Sequence, residues 1–252
     1  HYGAGLPPVL LAVLAVLAGA AAGALYSLIP ALLKVKLNVH EVISTIMLNN
    51  IAASLTALII VRYFRDAGET ARTPAVAARL AQFDAPEHLN TGIFIALGCV
   101  IFIYVLLYRT PLGLKIDAVG KNLVAAQYSG ISAKRITMII MLLSGAVAGL
   151  CGSERILGAY GYMLVNFSPG YGFTGITVAV IGRNNPMGAL AAALFIGVMQ
   201  CGGTTISMMT DVPYEWVQAL IAIIFILVAA QDEMFKSFVK SLKKKKVQGA
   251  EA

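Results

Sequence analysis

Long apolar runs separated by short polar breaks dominate the chain, and this pattern predicts helices that cross a bilayer several times. A crossing helix needs about 20 apolar residues, within a range of about 17 to 25. Runs of that kind occupy residues 8–33, 42–61, 91–108, 136–152, 187–203 and 213–230. A seventh stretch, 174–181, is apolar but short. It stops at Gly182-Arg183-Asn184-Asn185-Pro186, a turn signal that ends one helix and lets another begin. A short helix, a polar break and a long helix predict a broken segment. Non-helical backbone at membrane depth is tolerated where it is buried in protein or lines a wet cavity. The expected fold class is all-α: a polytopic transmembrane helix bundle with one broken or re-entrant helix, forming one transmembrane domain over 1–252.

Composition agrees. Of 252 residues, 59% are hydrophobic and 12% charged. A soluble domain carries about a quarter charged residues. So little polar surface cannot cover a water-soluble globule, and lipid becomes the solvent over most of the molecule. Cys99, Cys151 and Cys201 all fall in apolar stretches and are expected to pack between helices as small hydrophobes. Gly19–Gly23 and Gly145–Gly149 are both GxxxG pairs, which let helix backbones approach closely.

Basic residues set the expected orientation. With the lysine-rich tail 231–252 in the cytoplasm, the inside segments 34–41, 109–135 and 231–252 hold thirteen Lys and Arg, and the outside segments hold five. The positive-inside rule asks for that asymmetry. The outside loop 62–90 balances four arginines against four acids. This map needs seven crossings, so the stretch ending at Ile181 must carry the chain inward. It also puts residue 1 outside, which calls for an odd number of further spans upstream if the native N-terminus is cytoplasmic. The net charge of +7 then reads as a membrane feature. The tetralysine 243–246 would meet anionic lipid headgroups, and no nucleic-acid partner is expected.

Catalytic chemistry is hard to find. His1, His40 and His88 lie in loops or at the terminus, and Asp211 and Asp232 flank the last run. No Cys/His cluster has metal-ligand spacing, so no metal is expected. Gly113 to Gly120-Lys121-Asn122 resembles a phosphate loop superficially, but its glycines are too far apart and Asn122 replaces the hydroxyl that holds magnesium. The chain is not expected to be an enzyme. Polar groups remain. Thr45, Asn49 and Asn50 sit with Ser44 in the second run, where buried amides bond to another helix, to water or to a solute. Glu154-Arg155 follows the fourth run and Glu215 opens the last, positions that suit interface anchors. Thr45, Asn49, Asn50 and Glu154 are the candidate substrate-path residues.

The segment 109–135 is the most informative. Ala125-Ala126, three residues, Gly130, nine residues, Ile140, one residue, Leu142 resembles the cytoplasmic EAA loop of ABC import permeases, with Val124 in place of Glu and Leu143 in place of Pro. Wider stretches, LYSLIPALLKVKLNVHEVISTIMLNNIA (25–52), AVGKNLVAAQYSGIS (118–132), LSGAVAGLCGSERILG (143–158) and 170–230, resemble the simple-sugar and nucleoside branch of those permeases, related to ribose and branched-chain amino acid import subunits. HEVISTIMLNNIA is most similar to nucleoside, guanosine-type, permeases. Arg183-Asn184-Asn185-Pro186 departs from relatives, which more often have small residues there.

The resemblance implies that residues 118–130 include a short helix docking on an ATP-binding subunit, with Gly120, Asn122, Ala125, Ala126 and Gly130 in the coupling segment and Gly130 ending the helix. It further implies no cofactor on this chain, ATP and magnesium being held by the partner. The implied partners are an ATP-binding cassette subunit, a second permease chain, an extracytoplasmic solute-binding protein and membrane lipid, in a prokaryotic cell membrane. An ion-coupled secondary transporter is the alternative, together with a branched-chain amino acid permease of the same superfamily. Carboxylates at mid-membrane would favour the ion-coupled reading, and Glu154 and Glu215 lie near the membrane faces.

Overall fold

Each predicted run becomes a helix. The computed structural model describes residues 7–64, 72–76, 80, 90–165, 167, 170–210 and 213–228, and the basic tail and most of the loop 62–90 lie outside this set. The helices are α1 (Pro8–Leu37), α2 (Glu41–Tyr63), α3 (Gly92–Arg109), α4 (Pro111–Lys121), α5 (Leu123–Tyr128), α6 (Ala133–Glu154), α7 (Tyr171–Ile181), α8 (Pro186–Met209) and α9 (Glu215–Val228). A π-helical turn, Arg155–Tyr160, continues α6 directly. Among the described residues, five helical segments are long and apolar enough to cross a membrane: those of α1, α2, α3, α6 with its π turn, and α8. The chain is a multi-pass, all-α membrane protein.

Two compact units divide at Pro169–Gly170. In the first, α1 and α6 pack most intimately, because both present glycines at four-residue spacing. A Cβ on Gly23 would strike the carbonyl oxygen of Gly145, and one on Gly149 would strike that of Gly19. Beside them, the Ser27 and Ser153 hydroxyls donate to Ala24 O and Gly149 O at 2.8 Å, so neither brings an unsatisfied donor to the seam. Buried residues of α1 are Ala12, Pro30 and Ala31, while Leu14, Leu17 and Leu25 face outward. In water this would be inside out. In lipid, where tails are as apolar as leucine, association rests on close packing of small residues.

The α1–α2 connection is tight. Asn38 closes α1 in the left-handed region (φ 54°), and Lys34 pairs with Glu41 across the turn. The Tyr26 hydroxyl of α1 donates to Leu48 O of α2 at 2.7 Å. Residues 72–76 and Leu80 are pinned by backbone hydrogen bonds beside residues 157–164, which follow α6. Thr73, Val76 and Leu80 N–H groups donate to the carbonyls of Met163, Gly161 and Leu157, at 3.0, 2.8 and 3.0 Å.

The second unit holds the broken segment. Helix α7 begins at Tyr171, three residues before the apolar run begins, and its 11 residues rise about 16 Å, roughly half of a hydrocarbon core. Arg183 and Asn184 both take positive φ, 52° and 54°, and the Asn185 side chain caps α8 by accepting from Met187 N at 3.0 Å. Gly182 and Gly188 lie against each other across the turn, and Gly203 of α8 lies against Val217 of α9.

Candidate functional site

Three groups of candidate residues can now be located. The coupling segment of 109–135 contains two helices. The longer, α4, follows Thr110, whose hydroxyl accepts from Gly113 N at 3.3 Å, and Pro111 at the first helical position fixes φ in advance. Hydropathy did not foresee it, because a mixed polar helix of 11 residues has no long apolar run. Asn122 then caps α5, its side chain accepting from Val124 N and Ala125 N at 3.1 Å each. Gly130 stands just past the end of α5 at φ 78°, a conformation that favours glycine, and donates to Gln127 O. Ala126 is 3% exposed, and Ile131 N donates to its carbonyl at 3.0 Å. Gly120 stands in the last turn of α4 with open space around it. Leu123, Val124 and Ala125 are exposed, and Tyr128 is 90% exposed. The six-residue helix thus buries one alanine and presents an apolar outer surface.

On α2 the candidates separate. The Thr45 hydroxyl donates within its own helix, to Glu41 O at 2.9 Å, and the Asn50 amide does likewise to Ile46 O at 3.1 Å. Such back-bonding satisfies a polar group without a partner helix. Asn49 is exposed and makes no side-chain hydrogen bond among the described residues.

Glu154 has a different setting. It lies at the polar end of a half-open cavity of about 530 Å³ between α3 and α6, with walls that include Ile93, Ala96, Cys99, Val147, Leu150 and Cys151. The wall contains no residue of α2, so the structure does not bring Glu154 together with Thr45, Asn49 or Asn50 there. Its partner is Asn90, which sequence reasoning missed. Asn90 is 7% exposed; its Nδ2 donates to Glu154 Oε1 at 3.0 Å and its Oδ1 accepts from Gly92 N at 2.7 Å. Glycine is needed at two places around this pair. A Cβ on Gly92 would strike the Glu154 side chain, and one on Gly158 would lie 2.5 Å from Asn90 Nδ2. The π turn begins immediately after Glu154, and such turns often occur at functional sites. Arg155 points to other company: its guanidinium lies 5.1 Å from the Tyr160 ring centroid and donates to the Tyr160 hydroxyl at 3.2 Å. Among the described residues no group of three or more His, Cys, Asp or Glu stands close enough to hold a metal.

The fold and these sites define a class: a polytopic helical membrane protein with a capped helical loop between spans and a half-buried acid at the end of one of them. The chain belongs to the family described as branched-chain amino acid transport system / permease component, whose sequence model matches residues 3–229. It is 37% identical over 223 residues to the guanosine ABC transporter permease protein of Bacillus subtilis, covering 86% of this chain and 64% of that one. It is 34% identical over 243 residues to the nucleoside ABC transporter permease protein of Lactococcus lactis, covering 90% and 65%. The glucose ABC transporter permease protein of Haloferax volcanii is 31% identical over 246 residues, covering 92% and 64%. The chain thus spans a little under two thirds of the length of these curated relatives. No solved structure matches it.

Proposed function

We propose that this chain is a permease subunit of an ABC importer in a prokaryotic cell membrane, moving a nucleoside inward with energy from ATP hydrolysed on a partner subunit. The observation that carries the proposal is α5. A six-residue helix, capped at one end by Asn122 and ended by Gly130, exposes Leu123, Val124 and Tyr128 between two spans. Exposed apolar side chains on a short, rigidly capped helix suit docking into a groove of another protein. Nucleoside and glucose permeases among the relatives support a solute with many polar groups, and the guanosine permease among them favours the nucleoside. A second permease chain and an extracytoplasmic binding protein complete the proposed assembly, which would work by alternating rigid-body motions.

The experiment uses exposed residues, because replacing buried Ala126 would damage local packing as well as docking. Tyr128→Ala and Val124→Asp, made in the intact transporter in proteoliposomes, are expected to lower ATP-dependent guanosine uptake at least tenfold and to abolish solute-stimulated ATP hydrolysis, with membrane insertion unchanged. Uptake that persists without ATP and follows a sodium or proton gradient would overturn the reading in favour of secondary transport.

A further inference from the structure

We infer that the cavity between α3 and α6 is a base-binding subsite, in which the Glu154 carboxylate receives the N–H edge of a 6-oxopurine base such as guanine. The inference rests on the nucleoside reading above and adds where and how the base is read. Its first support is the inventory of bonds at the polar end. Asn90 is committed on both sides, to Gly92 N and to Glu154 Oε1. Glu154 forms no ion pair among the described residues, and only one of its oxygens has a protein donor. An ionised carboxylate is an acceptor with about four lone-pair sites, so the cavity end offers acceptor capacity and asks for donors.

Shape and polarity narrow the occupant. Ile93, Ala96, Val147 and Leu150 make the walls apolar, with polar groups gathered at one end. A sugar bears hydroxyls on every side, and those facing such walls would lose their hydrogen bonds to water without replacement. A purine is flat, apolar on both faces and polar along its edge. About 530 Å³ lies within the range of small-molecule pockets. Guanine carries two adjacent donors, N1–H and N2–H, which match the two oxygens of a carboxylate, and hypoxanthine keeps N1–H. Adenine has a lone pair at N1, which would face the carboxylate and repel it. The glycines at 92 and 158 are then required because any larger residue would displace the Asn90–Glu154 pair that forms the reading edge. Asn90 is a positioning residue that aims the carboxylate.

The test compares competition by guanosine and adenosine for radiolabelled inosine uptake in proteoliposomes holding the intact transporter. The native protein is expected to favour guanosine at least tenfold. Glu154→Gln presents a donor as well as an acceptor, and should weaken guanosine at least tenfold while changing adenosine less than threefold. Equal weakening of both nucleosides, or no change in either, overturns the subsite and leaves nucleoside import intact. Transport of ribose or glucose with no nucleoside uptake overturns the proposed function and the subsite together. A second measurement does not depend on that variant. In Cys99→Ala, Cys201→Ala protein, guanosine should slow alkylation of Cys151 by N-ethylmaleimide at least fivefold, and ribose should not. Protection by ribose, or by neither compound, overturns the assignment of the cavity.

Discussion

Helix α6 meets two neighbours in opposite ways. Toward α1 it presents Gly145 and Gly149 against Gly23 and Gly19, and the backbones approach until no side chain fits between them. Toward α3 it presents Val147, Leu150, Cys151 and Glu154, which line a half-open cavity of about 530 Å³. One helix therefore has a sealed side and an open side, set by which residues fall on which stripe of a 3.6-residue turn. A seam without gaps moves as one body. A void with a polar end can admit a solute or take up a shift of one helix against the other. The two results come from two stripes of one helix: glycines at four-residue spacing on the first, and larger apolar residues with one acid on the second.

The largest effect should come from breaking the sealed side. Gly149→Leu puts a branched side chain into the carbonyl of Gly19; it should cost about 3 kcal/mol or more and leave little folded protein. Gly152→Ala on the same helix meets open space; helix propensity should make it neutral or stabilising by up to about 1 kcal/mol. Thermal unfolding of both variants in lipid nanodiscs checks the contrast. Similar losses for the two would mean the seam is not what holds α1 to α6.

Filling the open side is the next largest. Ala96→Phe places an aromatic ring in the cavity wall on the α3 side. Stability should change by less than about 1.5 kcal/mol, since a ring entering a void displaces no packed neighbour. Solute uptake should fall at least tenfold. A large loss of stability with uptake per folded molecule unchanged would show that the cavity is a structural gap and not a route.

How much of this was visible in the residues follows from the range of the interactions involved. Crossing helices were legible because lipid imposes a length and an apolar composition on each one separately, so α1, α2 and α8 could be found without their neighbours. The ending of α5 at Gly130 was legible because a capping glycine acts within a few residues. Helix α4 was not, since its stabilisation comes from a cap and from packing on α3, α5 and α6. The partner of Glu154 was hidden for a related reason. Asn90 lies 64 residues away, at the edge of a polar loop with no periodicity, and nothing local says that its amide is buried. Glu154 itself drew notice as a charge beside a span, but the cavity it lines is a relation between two helices. The α2 candidates show the reverse case: Thr45 and Asn50 looked equal to Asn49 as residue types, and only geometry reveals that both bond back to their own helix.

Asn49 carries the smallest and sharpest prediction, because it asks the sealed-or-open question of a third surface. An amide facing hydrocarbon with neither donor nor acceptor met is costly, so an exposed Asn49 on a spanning helix needs water, a solute or a second chain. Thr45, one turn earlier, is half-buried and self-satisfied, and Tyr26 fixes the nearby backbone of α2 through Leu48 O. The helix is held in register without Asn49. Removing the amide should therefore cost little: Asn49→Ala is expected to shift stability by less than about 0.6 kcal/mol, the average for side-chain hydrogen bonds within membranes. If Asn49 lines a wet path, the apparent affinity for solute in uptake should weaken about three- to tenfold over that same small stability change. If it instead joins two permease chains, affinity should stay fixed while the assembled complex dissociates more readily in detergent. Measuring uptake kinetics, thermal unfolding and assembly state on one purified preparation separates these outcomes. A variant indistinguishable from the native protein in all three would place the amide in contact with lipid headgroups, outside any functional surface.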